Sequence, residues 1–407
     1  MNYSIGVVKE QDKETRVSLT PDNAKRIVQT LGINVWIETG AGNSAGFSDM
    51  DYKNAGAEIA TSNEIVNNSD LLLCIHNFDL IAKAEKPVKV ICFSNPLYHF
   101  NTLLPLLKHN IDMYSLDLIP RTSKAQAMDT LSSMASLSGY KAVIKGAELY
   151  NSVLPMFSTA AGTIRPAKVL VLGAGVAGLQ AIATAKRLGA IVSAFDVRRA
   201  AGEEVRSLGA KFIEVEGAEE SAINTGYAIE QSIDYLNKQK ELIDKHVSES
   251  AIVIATANIP GKKAPLLIER ISVEKMKSGS VIIDLAADQG GNCEVTQNGK
   301  TIDHNGVLVV GNSFLSRETS HSASNLLSTN YYNFIQHLLE VEKTRKTDDP
   351  IVEGCKVIIE GKIVNERVKA QINAFDASIK LDEPMVESCE VSAKGKTVNE
   401  RAKAQIN

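Results

Sequence analysis

The sequence has few aromatic residues, no excess of positive charge and no long apolar run. Aromatic residues make up 5% of its 407 residues, the only tryptophan is Trp36, and the formal net charge is −4. Nucleic-acid-binding domains usually carry a basic surface and aromatic side chains on which bases stack, so the composition argues against a nucleic-acid partner. No run approaches the roughly 20 apolar residues that span a bilayer, and no secretory leader opens the chain, so we expect a cytoplasmic protein.

Cysteine is also sparse, and its spacing excludes the common cysteine-based sites. The five cysteines lie far apart, at Cys74, Cys92, Cys293, Cys355 and Cys389. Zinc sites need closely spaced ligand pairs, and disulfide frameworks need a dense and even number of cysteines. We therefore predict reduced thiols, as in a cytoplasmic protein, and no metal site.

Short apolar runs that alternate with amphipathic segments predict an α/β fold. Continuous apolar runs are typical of parallel strands that are covered on both faces. The predicted strands are residues 5–8, 34–38, 70–75, 89–93, 111–115, 168–172, 190–195, 251–255, 280–285 and 307–310. Helices are predicted from Thr20 to about Leu31, after the glycine-rich turn at residue 173, and from about Asn325 to Glu342.

A chain of this length has room for two or three domains, and we predict two doubly wound, Rossmann-like domains. The first comprises residues 1–131 and is completed by about residues 321–373, because the long C-terminal helix is expected to return to it. The second comprises residues 132–320. Residues 374–407 form a tail.

The C-terminal residues contain an internal repeat. Residues 362–373 read Lys-Ile-Val-Asn-Glu-Arg-Val-Lys-Ala-Gln-Ile-Asn, and residues 396–407 read Lys-Thr-Val-Asn-Glu-Arg-Ala-Lys-Ala-Gln-Ile-Asn. Each copy predicts a small hairpin that turns at Gly361 or Gly395. The first copy has an apolar run at 357–359 where the second has smaller and polar residues, so we interpret the second as a partly redundant duplicate.

The most specific local pattern is a glycine-rich turn between a predicted strand and a predicted helix. Gly173, Gly175 and Gly178 follow the strand at 168–172 with the spacing Gly-x-Gly-x-x-Gly, and the next strand ends at Asp196. In dinucleotide-binding domains the first glycine permits the tight turn, the second lets the pyrophosphate approach the backbone, and the third lets helix and strand pack closely. Because a helix N-terminus attracts phosphate, the pattern predicts a dinucleotide site; the alternative is a glycine-rich turn that binds no nucleotide.

Asp196 favours NAD over NADP as the cofactor. It follows Gly178 by 18 residues, where a carboxylate can accept hydrogen bonds from the ribose hydroxyls and repels a 2′-phosphate. Arg198 and Arg199 leave the choice open, because an arginine in this region can pair with that phosphate.

The segment from residue 121 to residue 133 admits a structural and a functional interpretation. Ser123 and Gln126 have the spacing of a helix capping box. The helical period would then place Met128, Leu131 and Met134 on one face, and Gln126, Asp129 and Ser132 on another. The simpler interpretation is an amphipathic helix with a solvent-facing polar side. The alternative is an amide, a carboxylate and a hydroxyl that bind a carboxamide ring.

Three further features lie where a ligand would bind or where a proton could be transferred. Residues 217–230 predict a polar surface loop, in which Tyr227 can pack on a ligand. The turn at 284–292 follows a strand, and ligands of open α/β sheets bind beyond the carboxyl ends of strands. His76 and His99 lie near strand ends and are acid–base candidates, although a lone histidine is more often structural.

Four stretches give the chain a resemblance to a known family. They are Ile119-Pro-Arg-Thr-Ser-Lys-Ala-Gln-Ala-Met-Asp, Thr159-Ala-Ala-Gly-Thr, Gly173-Ala-Gly-Val-Ala-Gly-Leu-Gln-Ala-Ile-Ala and Val281-Ile-Ile-Asp-Leu-Ala. Over roughly residues 3–373 the chain resembles the NAD(H)-binding alpha subunits of proton-translocating NAD(P) transhydrogenases, in the superfamily that also includes alanine dehydrogenase. The resemblance implies two domains that flank a cleft, and a homodimer.

The resemblance also implies an oxidoreductase that works with partners. In this family the NAD(H)-binding subunit passes a hydride between NADH and NADP⁺ held on a partner domain, and protons cross in membrane-spanning subunits. We therefore expect NAD(H) as the cofactor of this chain and NADP(H) on a partner subunit. We also expect peripheral attachment to the cytoplasmic face of the inner membrane through those partners. The repeated tail departs from the family pattern, in which the tail leads toward the membrane domain.

Roles for individual residues follow from the same resemblance. The loop that carries Arg121, Gln126, Asp129 and Ser132 would lie over the nicotinamide, which favours the functional interpretation of this segment. The residues expected to bind the cofactor are Gly173, Ala174, Gly175, Val176, Gly178, Asp196, Val197 and Arg198, with Gly226 and Tyr227 on a mobile loop that closes over the nucleotide.

The alternative function is that of an alanine dehydrogenase-like, NAD-dependent amino-acid dehydrogenase. That branch has a substrate-binding lysine and a catalytic histidine, and in the register of this chain their positions are His76 and about Pro96. Arg16 matches an arginine common to both branches and does not discriminate. Oxidation of an amino acid benefits from a general base, whereas hydride transfer between two nicotinamides moves no such proton, so the missing pair favours the transhydrogenase branch.

Overall fold

The computed structural model describes residues 3–11, 13–215, 233–345 and 348–381. The strands are β1 (Ser4–Val7), β2 (Asn34–Glu38), β3 (Glu58–Ala60), β4 (Leu71–Leu73), β5 (Val88–Cys92), β6 (Ile111–Ser115), β7 (Phe157–Thr159), β8 (Gly162–Ile164), β9 (Lys168–Leu172), β10 (Ile191–Phe195), β11 (Lys211–Phe212), β12 (Ile252–Ala255), β13 (Val281–Asp284), β14 (Thr301–His304), β15 (Val307–Gly311), β16 (Lys356–Ile359) and β17 (Lys362–Ile363).

The α-helices are α1 (Pro21–Arg26), α2 (Asp49–Asn54), α3 (Ser62–Asn68), α4 (Phe78–Ile81), α5 (Thr130–Leu149), α6 (Val176–Arg187), α7 (Ala201–Ser207), α8 (Ile233–Glu249), α9 (Arg270–Glu274), α10 (Ser320–Thr344), α11 (Pro350–Cys355) and α12 (Glu366–Leu381). Short 3-10 helices occur at Asn43–Ala45, Phe100–Lys108, Leu116–Leu118, Ser123–Met128, Ala287–Gln289 and Leu315–Thr319, and one π-helical turn occurs at Ile27–Leu31.

The first sheet has eight strands in the order β17-β16-β6-β5-β4-β1-β2-β3. Strands β1 to β6 pair in parallel, and β16 pairs antiparallel with β6. A parallel sheet with helices on both faces has no wet side, which is why an inner strand such as β4 is apolar and fully buried at Leu71, Leu72 and Leu73.

The second sheet has seven strands in the order β11-β10-β9-β12-β13-β15-β14, and all pairs are parallel except that of β14 with β15. The chain runs outward from β9 to β10 on one side and places β12 on the other. The crevice at the carboxyl ends of β9 and β12 is therefore the topological switch point, where open sheets of this kind bind ligands. Strands β7 and β8 form a separate hairpin before β9.

These two sheets confirm the prediction of doubly wound, Rossmann-like architecture. The strands at 34–38, 111–115 and 168–172 have the predicted bounds. The first predicted helix begins at Pro21, continues beyond Arg26 as the π-helical turn, and ends at Gly32, whose φ of 65° stops it.

Helix α10 carries the chain from the second sheet back into the core of the first. Its buried side chains include Tyr331, Phe334 and Leu338, which pack with the apolar residues of β1 and β4. The Tyr331 hydroxyl donates to the Cys74 carbonyl oxygen over 2.7 Å. The first copy of the repeat then forms the predicted hairpin, β16–β17, whereas the second copy lies outside the described residues. Within the described ranges, no helix is long and apolar enough to cross a membrane.

Candidate functional site

The glycine-rich turn between β9 and α6 requires two of its three glycines for steric reasons. Gly173 has a φ of 97°, and a Cβ there would lie 2.7 Å from the Thr256 Oγ1 atom. At Gly178 a Cβ would lie 1.8 Å from the Gly173 carbonyl oxygen, inside any contact distance. The first glycine therefore makes the turn, and the third lets α6 start directly against it.

Gly175 has a different role, because nothing in the protein fills the space beside it. A Cβ at this position would meet no atom within 4 Å. Helix α6 starts at the next residue, Val176, with no side-chain cap and no acidic residue in its first turn. The unpaired N–H groups and the positive end of the helix dipole therefore face an open space, as a site for an anionic group requires.

Asp196 lies at the end of β10, where it joins this strand to the glycine turn. Its Oδ2 atom accepts a hydrogen bond of 2.7 Å from the Ala174 N–H, and its Oδ1 atom accepts one of 2.7 Å from the Arg198 N–H. The Arg198 guanidinium donates to both oxygens, from Nε to Oδ1 over 3.0 Å and from Nη2 to Oδ2 over 3.1 Å. The structure thus brings these residues together at the switch point.

Two loops form the other side of the crevice. Thr256, directly after β12, donates from its hydroxyl to the Gly173 carbonyl oxygen over 2.9 Å. The Asn292 side chain holds the next residue, Ala257, from both sides, because it accepts from the Ala257 N–H and donates to the Ala257 carbonyl oxygen. No sequence pattern pointed to Thr256, whereas the turn at 284–292 was correctly predicted to lie beside the site.

Asp284, at the start of that turn, shapes the loop from inside the protein. It is fully buried, and its carboxylate accepts hydrogen bonds from the Ala286, Asn292 and Cys293 N–H groups and from the Thr296 hydroxyl. Burial raises the pKa of this carboxyl group, and these hydrogen bonds offset part of the increase. Further along the turn, Asp288 Oδ1 and Gln289 Oε1 are buried atoms that accept no hydrogen bond from the described residues.

The segment from residue 121 to residue 132 differs from the predicted helix. Residues Ser123–Met128 form a 3-10 helix whose N-cap is Thr122, with no side-chain cap, so the predicted Ser123–Gln126 capping box is wrong. Two asparagines of α10, Asn330 and Asn333, each donate to the Ala127 carbonyl oxygen over 2.9 Å.

These contacts also break the predicted helical faces. Met128 and Met134 are buried, but Leu131 is 43% exposed, because a new helix, α5, starts between Met128 and Leu131. Asp129 is the N-cap of that helix: Oδ1 accepts from the Ser132 N–H over 2.9 Å, and Oδ2 accepts from the Ser132 hydroxyl over 2.6 Å. Asp129 and Ser132 are therefore joined by a cap and not by a shared helical face.

The structure pairs Asp129 with Ser132 but leaves Arg121 and Gln126 separate from them. Both of the latter side chains are exposed, and no hydrogen bond within the described residues joins either of them to the capping pair. Val176 and Val197 are also exposed, at 43% and 47%.

Two of the predicted nucleotide-binding residues cannot be placed. Gly226 and Tyr227 lie outside the described residues, and the same holds for most of the predicted loop at 217–230.

Helix α5 connects the capping pair to the glycine turn. It crosses α6 so closely that a Cβ on Gly139 would lie 2.0 Å from the Ala177 carbonyl oxygen. Ser132 precedes Gly139 by seven residues, which is about 10 Å along a helix that rises roughly 1.5 Å per residue. The capping pair therefore lies about two turns of helix from the N-terminus of α6.

A buried charge network lies at the junction of the two sheets, and no sequence pattern predicted it. Glu14 accepts two hydrogen bonds from the Arg16 guanidinium, of 2.7 and 2.6 Å, and one of 2.9 Å from Nε of Arg317. The Glu14 and Arg16 side chains are only 3% and 2% exposed. Burial alone would raise the pKa of Glu14, but the hydrogen bonds and charge of Arg16, together with the charge of Arg317, lower it to about 2.

The same network includes one of the two acid–base candidates. The His76 Nε2 atom lies 3.5 Å from Oε2 of Glu14. Burial lowers the pKa of His76 to about 3, although the charge of Glu14 opposes this shift. The imidazole is therefore neutral at physiological pH. In the described residues no cluster of His, Cys, Asp and Glu is arranged to hold a metal ion.

Comparisons with known proteins agree with this architecture. Residues 6–138 match the family model "Alanine dehydrogenase/PNT, N-terminal domain", and residues 142–366 match "Alanine dehydrogenase/PNT, C-terminal domain". The chain is 40% identical over 369 residues to an NAD(P) transhydrogenase subunit alpha of Rickettsia prowazekii, covering 89% of this chain and 96% of that protein. It is 41% identical over 381 residues to the corresponding protein of Rhodospirillum rubrum, covering 90% and 99%.

Alanine dehydrogenases match at lower identity. Alanine dehydrogenase 2 of Staphylococcus aureus is 29% identical over 315 residues, covering 74% of this chain and 76% of that protein. Among solved structures, a transhydrogenase from Sinorhizobium meliloti superimposes with a TM-score of 0.77 at 36% identity, covering 89% of this chain and 99% of the other. The chain belongs to the alanine dehydrogenase/PNT family, as the resemblance predicted.

Proposed function

We propose that this chain is the NAD(H)-binding subunit of a proton-translocating NAD(P) transhydrogenase. It would pass a hydride between NADH and NADP⁺ held on a partner subunit. The observation that carries the proposal is the open space at Gly175, between the N-terminus of α6 and the Asp196 carboxylate, in a chain about 40% identical to transhydrogenase alpha subunits.

The residues at the switch point fit NAD(H). A Cβ on Gly175 would fill the space that a pyrophosphate needs, and the first turn of α6 offers N–H groups to it. Ala174, Val176 and Val197 would line the same binding region. Asp196 would accept hydrogen bonds from the adenosine ribose. The buried oxygens of Asp288 and Gln289 would be acceptors on the opposite wall.

Asp129 and Ser132 would orient the nicotinamide ring, with Arg121 and Gln126 reaching toward it from the exposed 3-10 turn. The double hydrogen bond of Asp129 fixes the Ser132 hydroxyl, so this pair is preorganised. Gly226 and Tyr227 would close over the bound nucleotide. Bound NADH supplies the hydride, and the role of these residues is to hold the ring and exclude water. A neutral, buried His76 suits this chemistry, because no proton has to be abstracted.

The first copy of the repeat supports the proposed domain division, in which residues 1–131 and about 321–373 form one domain and residues 132–320 the other. Strands β16 and β17 are hydrogen-bonded within the first sheet, and α10 packs in its core.

A homodimer is proposed from an exposed apolar hairpin and a groove on the same domain. All residues of β7 and β8 are exposed, and Met156, Phe157 and Ile164 are 64%, 48% and 49% exposed. A two-stranded hairpin is marginal in water by itself. An open groove of about 460 Å³ lies between α6 and α7, lined by apolar side chains such as those of Leu179 and Leu208, and would accept the hairpin of a second copy.

Other partners would be membrane-spanning subunits, including one with an NADP(H)-binding domain, and the chain would attach to the inner membrane through them. The test combines the purified chain with the NADP(H)-binding subunit and follows reduction of an NADP⁺ analogue by NADH. We expect NADH binding by the chain alone and transfer only in the mixture. Reduction of NAD⁺ by L-alanine, with no partner present, would instead indicate the alanine dehydrogenase function.

The nicotinamide-binding segment can be tested in the same assay. Gln126→Ala and Asp129→Asn should lower the transfer rate while NADH still binds, because the pyrophosphate and ribose contacts lie elsewhere. If both variants transfer hydride at the original rate, the proposed role of this segment is wrong.

A further inference from the structure

The carboxylate of Asp196 has no free hydrogen-bonding position. A carboxylate offers about four lone-pair sites, and Asp196 accepts four N–H groups: the Ala174 and Arg198 backbone amides and the Arg198 Nε and Nη2 groups. Its side chain is 8% exposed. A ribose therefore cannot bind to Asp196 as it stands without displacing one of these donors.

The four donors differ in how readily they can leave. The two backbone amides belong to the glycine turn and to the end of β10, so their positions follow from the fold. The two guanidinium donors belong to a side chain that is 41% exposed and can move into solvent. A ribose carries two vicinal hydroxyl groups, which match the two guanidinium donors in number.

We infer that Arg198 is a specificity-determining residue: in the free protein it occupies the positions on Asp196 that the adenosine ribose takes, and it weakens the exclusion of NADP(H) that Asp196 alone would impose. This inference rests on the proposed function, because it takes NAD(H) as the ligand. Arg198 neutralises the carboxylate, so an approaching 2′-phosphate meets an ion pair instead of a bare negative charge. Its planar fork can also pair with that phosphate once displaced.

The contacts of Arg198 suggest that its side chain can be removed without loss of the turn. Its Nη2 atom also donates to the Ala174 carbonyl oxygen over 3.2 Å, which ties the turn to β10. The Ala174 N–H bond to Asp196 would remain in an Arg198→Ala variant, as would the backbone bond of residue 198. The fold of the site is therefore expected to survive the substitution.

The experiment measures competition for bound NADH in the full chain. NADH binding is followed by fluorescence, and AMP and adenosine 2′,5′-bisphosphate are titrated as competitors that differ by the 2′-phosphate. In Arg198→Ala the ratio of the two dissociation constants, bisphosphate over AMP, should rise about tenfold, since a charge-assisted bidentate contact is lost and the Asp196 charge is exposed. Arg198→Lys keeps the charge without the fork and should give an intermediate ratio.

Arg199→Ala is the matched control, because it removes the same charge one residue away. Its ratio should stay within about twofold of the original, and Asp196→Asn should lower the ratio by removing the repulsion. An unchanged or lower ratio in Arg198→Ala overturns the inference, and so does an equal rise in Arg199→Ala. If the unmodified chain bound no NADH at all, the proposed function itself would fail, which separates the two results.

Discussion

The two sheets share one architecture, but the carboxyl ends of their strands carry opposite kinds of chemistry. At the second sheet, β9 is followed by a turn with an open space at Gly175 and an uncapped helix N-terminus. At the first sheet, the charged groups of Glu14 and Arg16 are buried and paired with each other and with Arg317, which comes from the other half of the molecule. The same end of the same fold thus offers a ligand site in one case and forms a domain junction in the other.

The difference shows that topology alone does not make a binding site. Open α/β sheets place loops at the switch point, but a ligand needs unpaired donors and free space there. The second sheet leaves backbone N–H groups without partners among the described residues. The first sheet uses its charges internally, and Glu10 adds to this by accepting the Ile75 and His76 N–H groups over 2.5 and 2.9 Å.

The largest effect is expected from Gly178→Val at the second sheet. A Cβ alone would lie 1.8 Å from the Gly173 carbonyl oxygen, so the helix and the turn cannot keep their positions. We expect a loss of more than about 4 kcal/mol in unfolding free energy, measured by chemical denaturation.

Gly175→Ala is the matched control for that variant, because its Cβ meets no protein atom within 4 Å. It should unfold at the same denaturant concentration as the original protein but bind NADH at least about tenfold more weakly, which is roughly 1.4 kcal/mol. Equal destabilisation by both substitutions would contradict the assignment of Gly175 to the ligand and Gly178 to packing.

At the first sheet, Glu14→Gln should destabilise the protein by about 3–5 kcal/mol, because it leaves two arginines without their counter-charge in a buried place. Chemical denaturation measures the loss. Glu249→Ala is the control, since it breaks an ion pair with Lys168 in which both side chains are about half exposed. Screening by water should make that change small. A Glu14→Gln protein as stable as the control would show that the junction does not depend on the network.

The pH dependence of stability should report the same network. The folded-state pKa of Glu14 is lowered to about 2, whereas the unfolded value is near 4.5, so the stabilisation is complete above about pH 4.5 and is lost as the pH falls toward 2. The difference of about 2.5 pKa units corresponds to about 3 kcal/mol. Unfolding curves between pH 6 and pH 2 should therefore converge for the original protein and Glu14→Gln, and curves that stay parallel would contradict the lowered pKa.

The glycine turn could be predicted from the sequence because its contacts are local. Gly173, Gly178 and Asp196 lie within 24 residues of each other, and the steric demand of each glycine follows from the strand–turn–helix pattern. The family resemblance extended the prediction to both sheets and to the return of α10.

The failures have long-range causes. The Ser123–Gln126 capping box is wrong because Asn330 and Asn333 hold the Ala127 carbonyl oxygen from more than 200 residues away, and because Asp129 caps the next helix. Such tertiary contacts override local helix signals.

The junction contacts were invisible for the same reason. Arg317 reaches Glu14 across 303 residues, and the Tyr98 hydroxyl donates to the Ile259 carbonyl oxygen across 161. A local pattern contains no information on which distant residue will become its partner.

The smallest effect is expected from a chain that stops after Asn373. The first copy of the repeat would keep the buried Val368 and the Gln371 side chain, which donates to the Gly261 carbonyl oxygen over 3.0 Å in the loop after β12. The cut removes Phe375, whose ring packs edge-on against Phe100 but is 43% exposed. NADH titration of the shortened chain should give an unchanged dissociation constant. A chain that stops after Glu366 is the comparison, because it loses the Gln371 contact with the second half of the molecule. Large loss of affinity in the first truncation would mean that the duplicated residues contribute to the nucleotide site, and the contrast between a ligand-binding and a self-contained sheet end would then have to include the tail.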